Sequence, residues 1–252
     1  MAEAPPQQDM LGPHYQILAG RNKIEVKEKV NLIEALTALV GMEIEMGNKY
    51  RVLGEDEQEL FYAVEETDCC RRQIKQCCPD CTPWDLNILF TPGGKSLAFK
   101  MSRPFTLTCC CFNRPKVAVT DAIDGSTIGM IYDPWHCCNF TFDIRDPSGD
   151  ETLLKANGGC CQCGLICPLP CGPCKYVEFP IYDTKTGDEV GTIHKEVPGC
   201  CKFCFAPDVQ NYKVDFSGIN DLKLKAMVMA LPIFIDFRYF NNNENDEGRL
   251  TE

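Results

Sequence analysis

The chain has little of what most chemistries require. Histidine occurs three times in 252 residues, as His14, His136 and His194, and no nucleophile motif or glycine-rich phosphate loop accompanies any of them. Acid–base or covalent catalysis therefore lacks its usual parts, and the chain is read as a non-enzyme. Basic residues are outnumbered, 25 against 36 acidic, for a net charge of -11 with no basic stripe. Backbone-driven nucleic-acid binding needs clustered cations that displace counterions, so it is not expected. The opening stretch MAEAPPQQDMLGPHY has neither a basic n-region nor an apolar h-region, and the protein is not expected to be secreted. Long apolar runs are also missing. The most apolar one, Ala226 to Ile235, covers ten residues, against the roughly 20 that span a bilayer.

Cysteine is abundant instead: 19 residues, many adjacent, as in Cys69-Cys70, Cys77-Cys78 and Cys109-Cys110-Cys111. Without a leader these thiols belong in a reducing compartment, where a disulfide framework is improbable. The sequon Asn139-Phe140-Thr141 is then a chance match. Cys-x-x-Cys spacing recurs, and two pairs on facing loops, Cys171/Cys174 and Cys201/Cys204, are a candidate tetrahedral zinc site. With so many cysteines some such spacings arise by chance, and thiols on end loops are the favoured reading. The run LTCCCFNRP suits S-acylation better, since two chains anchor a protein stably where one does not.

Along the chain, residues 1–28 read as a disordered arm, residues 29–240 as one domain and residues 241–252 as an acidic tail. KVNLIEALTALVG has helical spacing and ends at Gly41. The period then changes to alternation. NKYRVLGEDEQELFYAVEE, LNILFTPGGKSLAFKMSR, KVAVTDAIDGSTIGMIYD, FTFDIRDPSGDETLLKA and YVEFPIYDTKTGDEVGTIHK each show a β run, a turn with Gly, Asp or Pro, and a second β run. KFCFAPDVQNYKVDF could supply a sixth pair. The expected fold is mainly β, a closed antiparallel barrel of about 12 strands, with the cysteine clusters between hairpins.

LKLKAMVMALPIFIDFRYF, residues 222–240, carries Asp236 and Arg238 beyond its apolar run. Each such charge costs roughly 2.5 to 3.5 kcal/mol near a bilayer centre. A barrel of this size needs a filler, so Leu224, Met227, Val228, Leu231, Ile235 and Phe237 are read as lining a core helix in preference to a bilayer span. The preceding PDVQNYKVDFSGINDLK is a poor calcium loop. Counted from Asp208, the ligand positions fall on Gln210, Tyr212 and Ile219, and Lys213 stands where glycine belongs.

Taken together, NKYRV, FYAVEETDCC, RPFTL followed by the three cysteines, DPWHCC and LKLKAMVMALPIFIDFRYF resemble the phospholipid scramblase family, in its order, over about residues 30 to 240. The resemblance implies a Tubby-like barrel of twelve strands around a central hydrophobic C-terminal helix. It implies ATP-independent, calcium-responsive movement of phospholipids between leaflets, with membrane phospholipids as the partners. It also implies palmitate on Cys109, Cys110 and Cys111, a calcium segment at Asp208, Gln210, Tyr212, Val214 and Asp221, and a plasma-membrane location with the main domain in the cytosol. Gln210 departs from a family Asp, and Lys213 from a Gly. The reading from another class is a lipid-anchored adaptor that translocates nothing and keeps its helix buried.

Overall fold

The structure, a computed structural model, describes residues 11–28, 47–66, 81–109, 111–166, 172–196 and 211–240. The chain begins with a short helix α1 (Pro13–Gln16) and strand β1 (Lys23–Glu28). Strands β2 (Lys49–Gly54), β3 (Glu59–Glu66), β4 (Trp84–Phe90), β5 (Ser96–Arg103), β6 (Lys116–Asp121), β7 (Thr127–Tyr132), β8 (Asn139–Arg145) and β9 (Thr152–Gly159) follow. After helix α2 (Cys163–Ile166) come β10 (Tyr176–Asp183), β11 (Glu189–Glu196), β12 (Asn211–Asp215) and helix α3 (Leu222–Ile235), which runs into a π-helical turn at Asp236–Phe240. All twelve strands form a closed antiparallel barrel in sequence order, with β1 against β12 at the seam through pairs such as Ile24↔Val214 and Val26↔Tyr212.

The expected architecture is the one observed, and alternation explains it. In β6 Val117, Val119 and Asp121 are buried and the residues between them are not; β10 repeats this with Val177, Phe179 and Ile181. The five sequence hairpins are β2–β3, β4–β5, β6–β7, β8–β9 and β10–β11. Each shifts register beside its turn, at Val52/Leu53, Ile88/Leu89, Val119/Thr120, Ile144/Arg145 and Ile181/Tyr182. The turns hold a residue with positive φ, as at Gly125 (73°) and Gly187 (77°), whose amides bond Asp121 O and Asp183 O at 2.9 and 2.8 Å. A tight turn closed by a bulge adds twist and helps the sheet curl into a barrel. The proposed sixth pair is different: β12 pairs β11 and β1, and its upstream half lies outside the described residues.

α3 fills the barrel. Twelve of its fourteen residues are buried, on every face. Gly129 on β7 allows close approach, since a Cβ there would lie 2.9 Å from Met227 Cε. Met227, Met229, Leu231, Ile233, Phe234 and Ile235 are each at most 1% exposed. At about 1.5 to 3 kcal/mol each, removing them from the core would cost as much as the whole net stability of a typical domain, about 5 to 15 kcal/mol.

One boundary is corrected. Residues 11–28 are not a disordered arm. Pro13 opens α1 at a position where its missing amide costs nothing. Tyr15 and Leu18 are buried, and His14 Nε2 lies 3.1 Å from Asp121 Oδ2 between the rings of Tyr15 and Phe99. β1 then supplies the seam strand. The segment is too short, and its apolar residues too few, for its periodicity to stand out. The helix expected over KVNLIEALTALVG lies outside the described residues.

Candidate functional site

The connections after odd-numbered strands all leave the same end of the barrel, and α3 points its C-terminus there. The helix enters from the opposite end, where Asp221 caps it by accepting from the amides of Lys223 (2.8 Å) and Leu224 (3.4 Å). Lys225 donates to the carbonyl oxygens of Arg21 (2.6 Å) and Leu18 (3.4 Å), fixing the helix to the segment between α1 and β1. Pro232 lies inside the helix, where it frees one carbonyl.

At the C-terminal end the two charges that argued against a bilayer span each have partners. Asp236, fully buried, accepts from Tyr50 Oη at 2.7 Å and Tyr212 Oη at 2.8 Å. Burial pushes its carboxyl above the usual range, while the two hydroxyls and the Lys195 ammonium work the other way. Burial, and then the Asp236 charge, hold both tyrosines well above the ordinary phenol value. Lys195, on β11, is lowered by burial to about 8, with Asp236 and Glu28 opposing the shift. Its ammonium sits 4.0 Å above the Phe240 ring.

Arg238 donates to Asp133 Oδ2 at 2.9 Å, and Arg114 makes a short contact to the same oxygen. Tyr239 Oη donates to Asp133 Oδ1 at 3.2 Å. Burial pushes the Tyr239 phenol up to about 12, with the Asp133 charge next in importance. Stacking of Trp84 on Phe237 (4.5 Å between centroids) and the edge of Phe140 on Tyr239 (4.8 Å) complete the collar. Asp133 thereby joins the β5–β6 connection, the β7–β8 connection and the helix end. Tyr50 of NKYRV, Asp133 of DPWHCC, and Asp236 and Arg238 of the last motif meet in this one place. Their convergence was not visible in sequence; the signal was that isolated polar residues recur inside the most distinctive motifs.

The residues singled out from sequence have different fates. Met227, Val228, Leu231 and Ile235 are buried in the barrel, with Leu224 and Phe237 partly buried at its two ends. α3 is about 21 Å long at 1.5 Å per residue, short of a hydrocarbon core of about 30 Å. Among the described residues no helix is long and apolar enough to cross a membrane. Cys109 and Cys111 are exposed, and Cys110 lies outside the described residues. Of the calcium set, Asp208 and Gln210 also lie outside them. Tyr212 and Val214 point into the barrel, and Asp221 is occupied as the helix cap, so these three offer no convergent oxygen cage. Of the zinc set only Cys174 is described, half-buried after α2, whereas Cys171, Cys201 and Cys204 lie outside the described residues. The candidate four-thiolate site on Cys171, Cys174, Cys201 and Cys204 therefore lies largely outside the described residues. Among the described residues no three His, Cys, Asp or Glu gather as metal ligands.

The site is thus a barrel end, plugged by a helix terminus and fringed with thiols. Comparison with known proteins agrees with its motifs. The Scramblase family model matches residues 4–242. The chain is 28% identical to rat (Rattus norvegicus) phospholipid scramblase 1 over 98% of its own length and 68% of the relative's. It is 28% identical to the human (Homo sapiens) phospholipid scramblase 1 over 94% and 69%. With bovine (Bos taurus) phospholipid scramblase 2 it shares 30% identity over 82% and 66%. No solved structure matches significantly. From the barrel, the plugging helix and a family match that runs nearly end to end, this chain belongs to the scramblase family.

Proposed function

We propose that the protein, like the phospholipid scramblases it resembles, moves phospholipids between the two leaflets of a membrane, and that it does so without ATP. The family match over residues 4–242 carries this reading. Palmitate on Cys109, Cys110 and Cys111 would hold the barrel at the cytosolic face of the plasma membrane, and the exposure of Cys109 and Cys111 is compatible with acyl transfer. Because α3 is the barrel's filler and both of its C-terminal charges are paired, movement of a headgroup would proceed with the helix in place, by local disturbance of the bilayer next to the barrel. No step is assigned to calcium, because among the described residues Tyr212, Val214 and Asp221 form no oxygen cage.

The same buried helix favours one second reading, a lipid-anchored regulator that binds the membrane without translocating lipid. A dithionite assay on vesicles carrying labelled phospholipid separates the two. Accelerated loss of inner-leaflet label over protein-free vesicles supports translocation, with calcium present or chelated as two arms. Loss no faster than in empty vesicles removes it and leaves the regulator.

A further inference from the structure

Seven large apolar side chains stand exposed among the described residues, and five share one end of the barrel. Phe105 (58%), Leu107 and Phe112 (72%) project from the β5–β6 connection, Trp135 (51%) from β7–β8, and Ile166 from α2 between β9 and β10. These strands are neighbours in the barrel, so the three connections form one continuous arc of rim. Leu97 and Ile123 lie at the opposite end.

Exposed thiols interleave with the five: Cys109 and Cys111, Cys137 and Cys138, and Cys161 and Cys163. The other end differs in charge. Its five short turns carry eight acidic residues, among them Glu55, Asp56, Glu57 and Asp124, against Lys95 and Lys185. The rim is also held in shape. Cys109 and Phe112 exchange backbone bonds of 3.2 and 2.8 Å, and Thr108 Oγ1 donates to Asn113 O at 3.0 Å. Arg114 and Asp133 tie both first connections to the helix end.

We infer that this arc is a bilayer-docking rim. Phe105, Leu107, Phe112, Trp135 and Ile166 enter the headgroup–acyl boundary, and the acidic turns face away from the surface. The inference rests on the reading that the protein works at a membrane, but it concerns docking and not lipid movement. Tryptophan and phenylalanine favour this boundary because it offers an apolar bed beside water. Any acyl chain placed on the interleaved thiols would enter the same layer. With Arg114 committed to Asp133 and Lys175 set over the Tyr176 ring, exposed Lys116 adds little to five apolar side chains, so apolar insertion supplies the affinity, which changes little with salt. A preformed rim loses little side-chain freedom on binding.

The test uses the full chain produced in bacteria, hence without acyl chains, floated with phosphatidylcholine vesicles. The expected result is partition with vesicles and a blue shift of the exposed Trp135. Doxyl labels placed just below the headgroup should quench it, over a constant background from buried Trp84. Two variants, F105S/L107S/F112S and W135S/I166S, should each lower partition by about tenfold. Ile123→Ser at the far end should change nothing, and nor should raising salt from about 0.1 to 0.5 M. Unaltered melting temperatures would show that the variants keep their fold. Wild-type chain that stays with the unbound fraction overturns the inference, and that is also the result if the arc holds a protein. Partition without quenching of Trp135, rim variants that float like wild type, or binding confined to anionic vesicles and lost in salt overturn it equally. A dithionite assay on the same vesicles distinguishes the two readings. Docking without lipid movement keeps the rim and removes translocation; movement untouched by the rim variants does the reverse.

Discussion

At one end of the barrel five hairpins close in four to six residues, each with a bulge beside its turn and several with a glycine in the left-handed region. At the other, the β5–β6 and β9–β10 connections are two to four times as long, rich in cysteine and fringed with aromatic side chains. The same helix terminates at both. It meets the tight end through a cap and a lysine bound to carbonyl oxygens, and the open end through two buried carboxylates shared among tyrosines and arginines. Short turns shape a sheet using local backbone chemistry alone. Long connections have no such local constraint, so here tertiary polar contacts fix their position. The difference places shaping by local turn chemistry at one end and shaping by polar contacts between distant residues at the other.

Substitutions at the two ends should separate these roles. The largest effect is expected for Asp236→Ala, which strands two buried hydroxyls and removes the charge that most supports the Lys195 ammonium. A loss of about 3 to 5 kcal/mol in denaturant unfolding is expected, and less for Asp236→Asn, which keeps an acceptor. A loss below about 1 kcal/mol would mean that the open end does not hold the helix. Asp133→Ala comes next, at about 3 kcal/mol, because Arg114 and Arg238 lose a shared partner. It should also loosen the β5–β6 connection, measurable as faster amide exchange near Phe112. A pH effect at the open end is smaller. Lys195 has a folded pKa of about 8, below that of the unfolded chain. The unfolded state therefore binds more protons between the two values, and stability rises with pH. From about pH 8 to 9.5, below tyrosine ionisation, the gain is roughly 1.5 kcal/mol, and Lys195→Met should flatten that slope. At the tight end, Asp221→Ala removes only a cap, for about 1 kcal/mol.

Legibility in the sequence followed the same division. The five hairpins were readable because alternation and turn residues are local signals, and each lies where its pattern placed it. The core helix was readable from its all-round apolar character. Residues 11–28 were misread because burial of His14 and pairing of β1 depend on partners such as Asp121 and β12, far along the chain. The collar around Asp236 and Asp133 was hidden for a related reason. A lone Tyr or Asp in a motif carries no mark of which distant residue it will meet. Sequence could flag these residues as unusual without showing that they converge. Cysteine spacing was a weaker guide still, because in a chain with this many thiols a pair such as Cys201/Cys204 carries no mark of the pair it would face.

The position of α3 in the chain has a consequence for synthesis. All twelve strands precede the element that fills them, and β1 finds its second partner, β12, only when residues 211 to 215 have been made. During translation β1 can pair with β2 and the early hairpins can form, but the sheet's inner face stays unfilled until Ile235 has left the ribosome. Native contacts so distant in sequence slow folding and prolong the exposure of apolar surface. The nascent chain should therefore be a long-lived client of chaperones, released in one late step when the helix goes in.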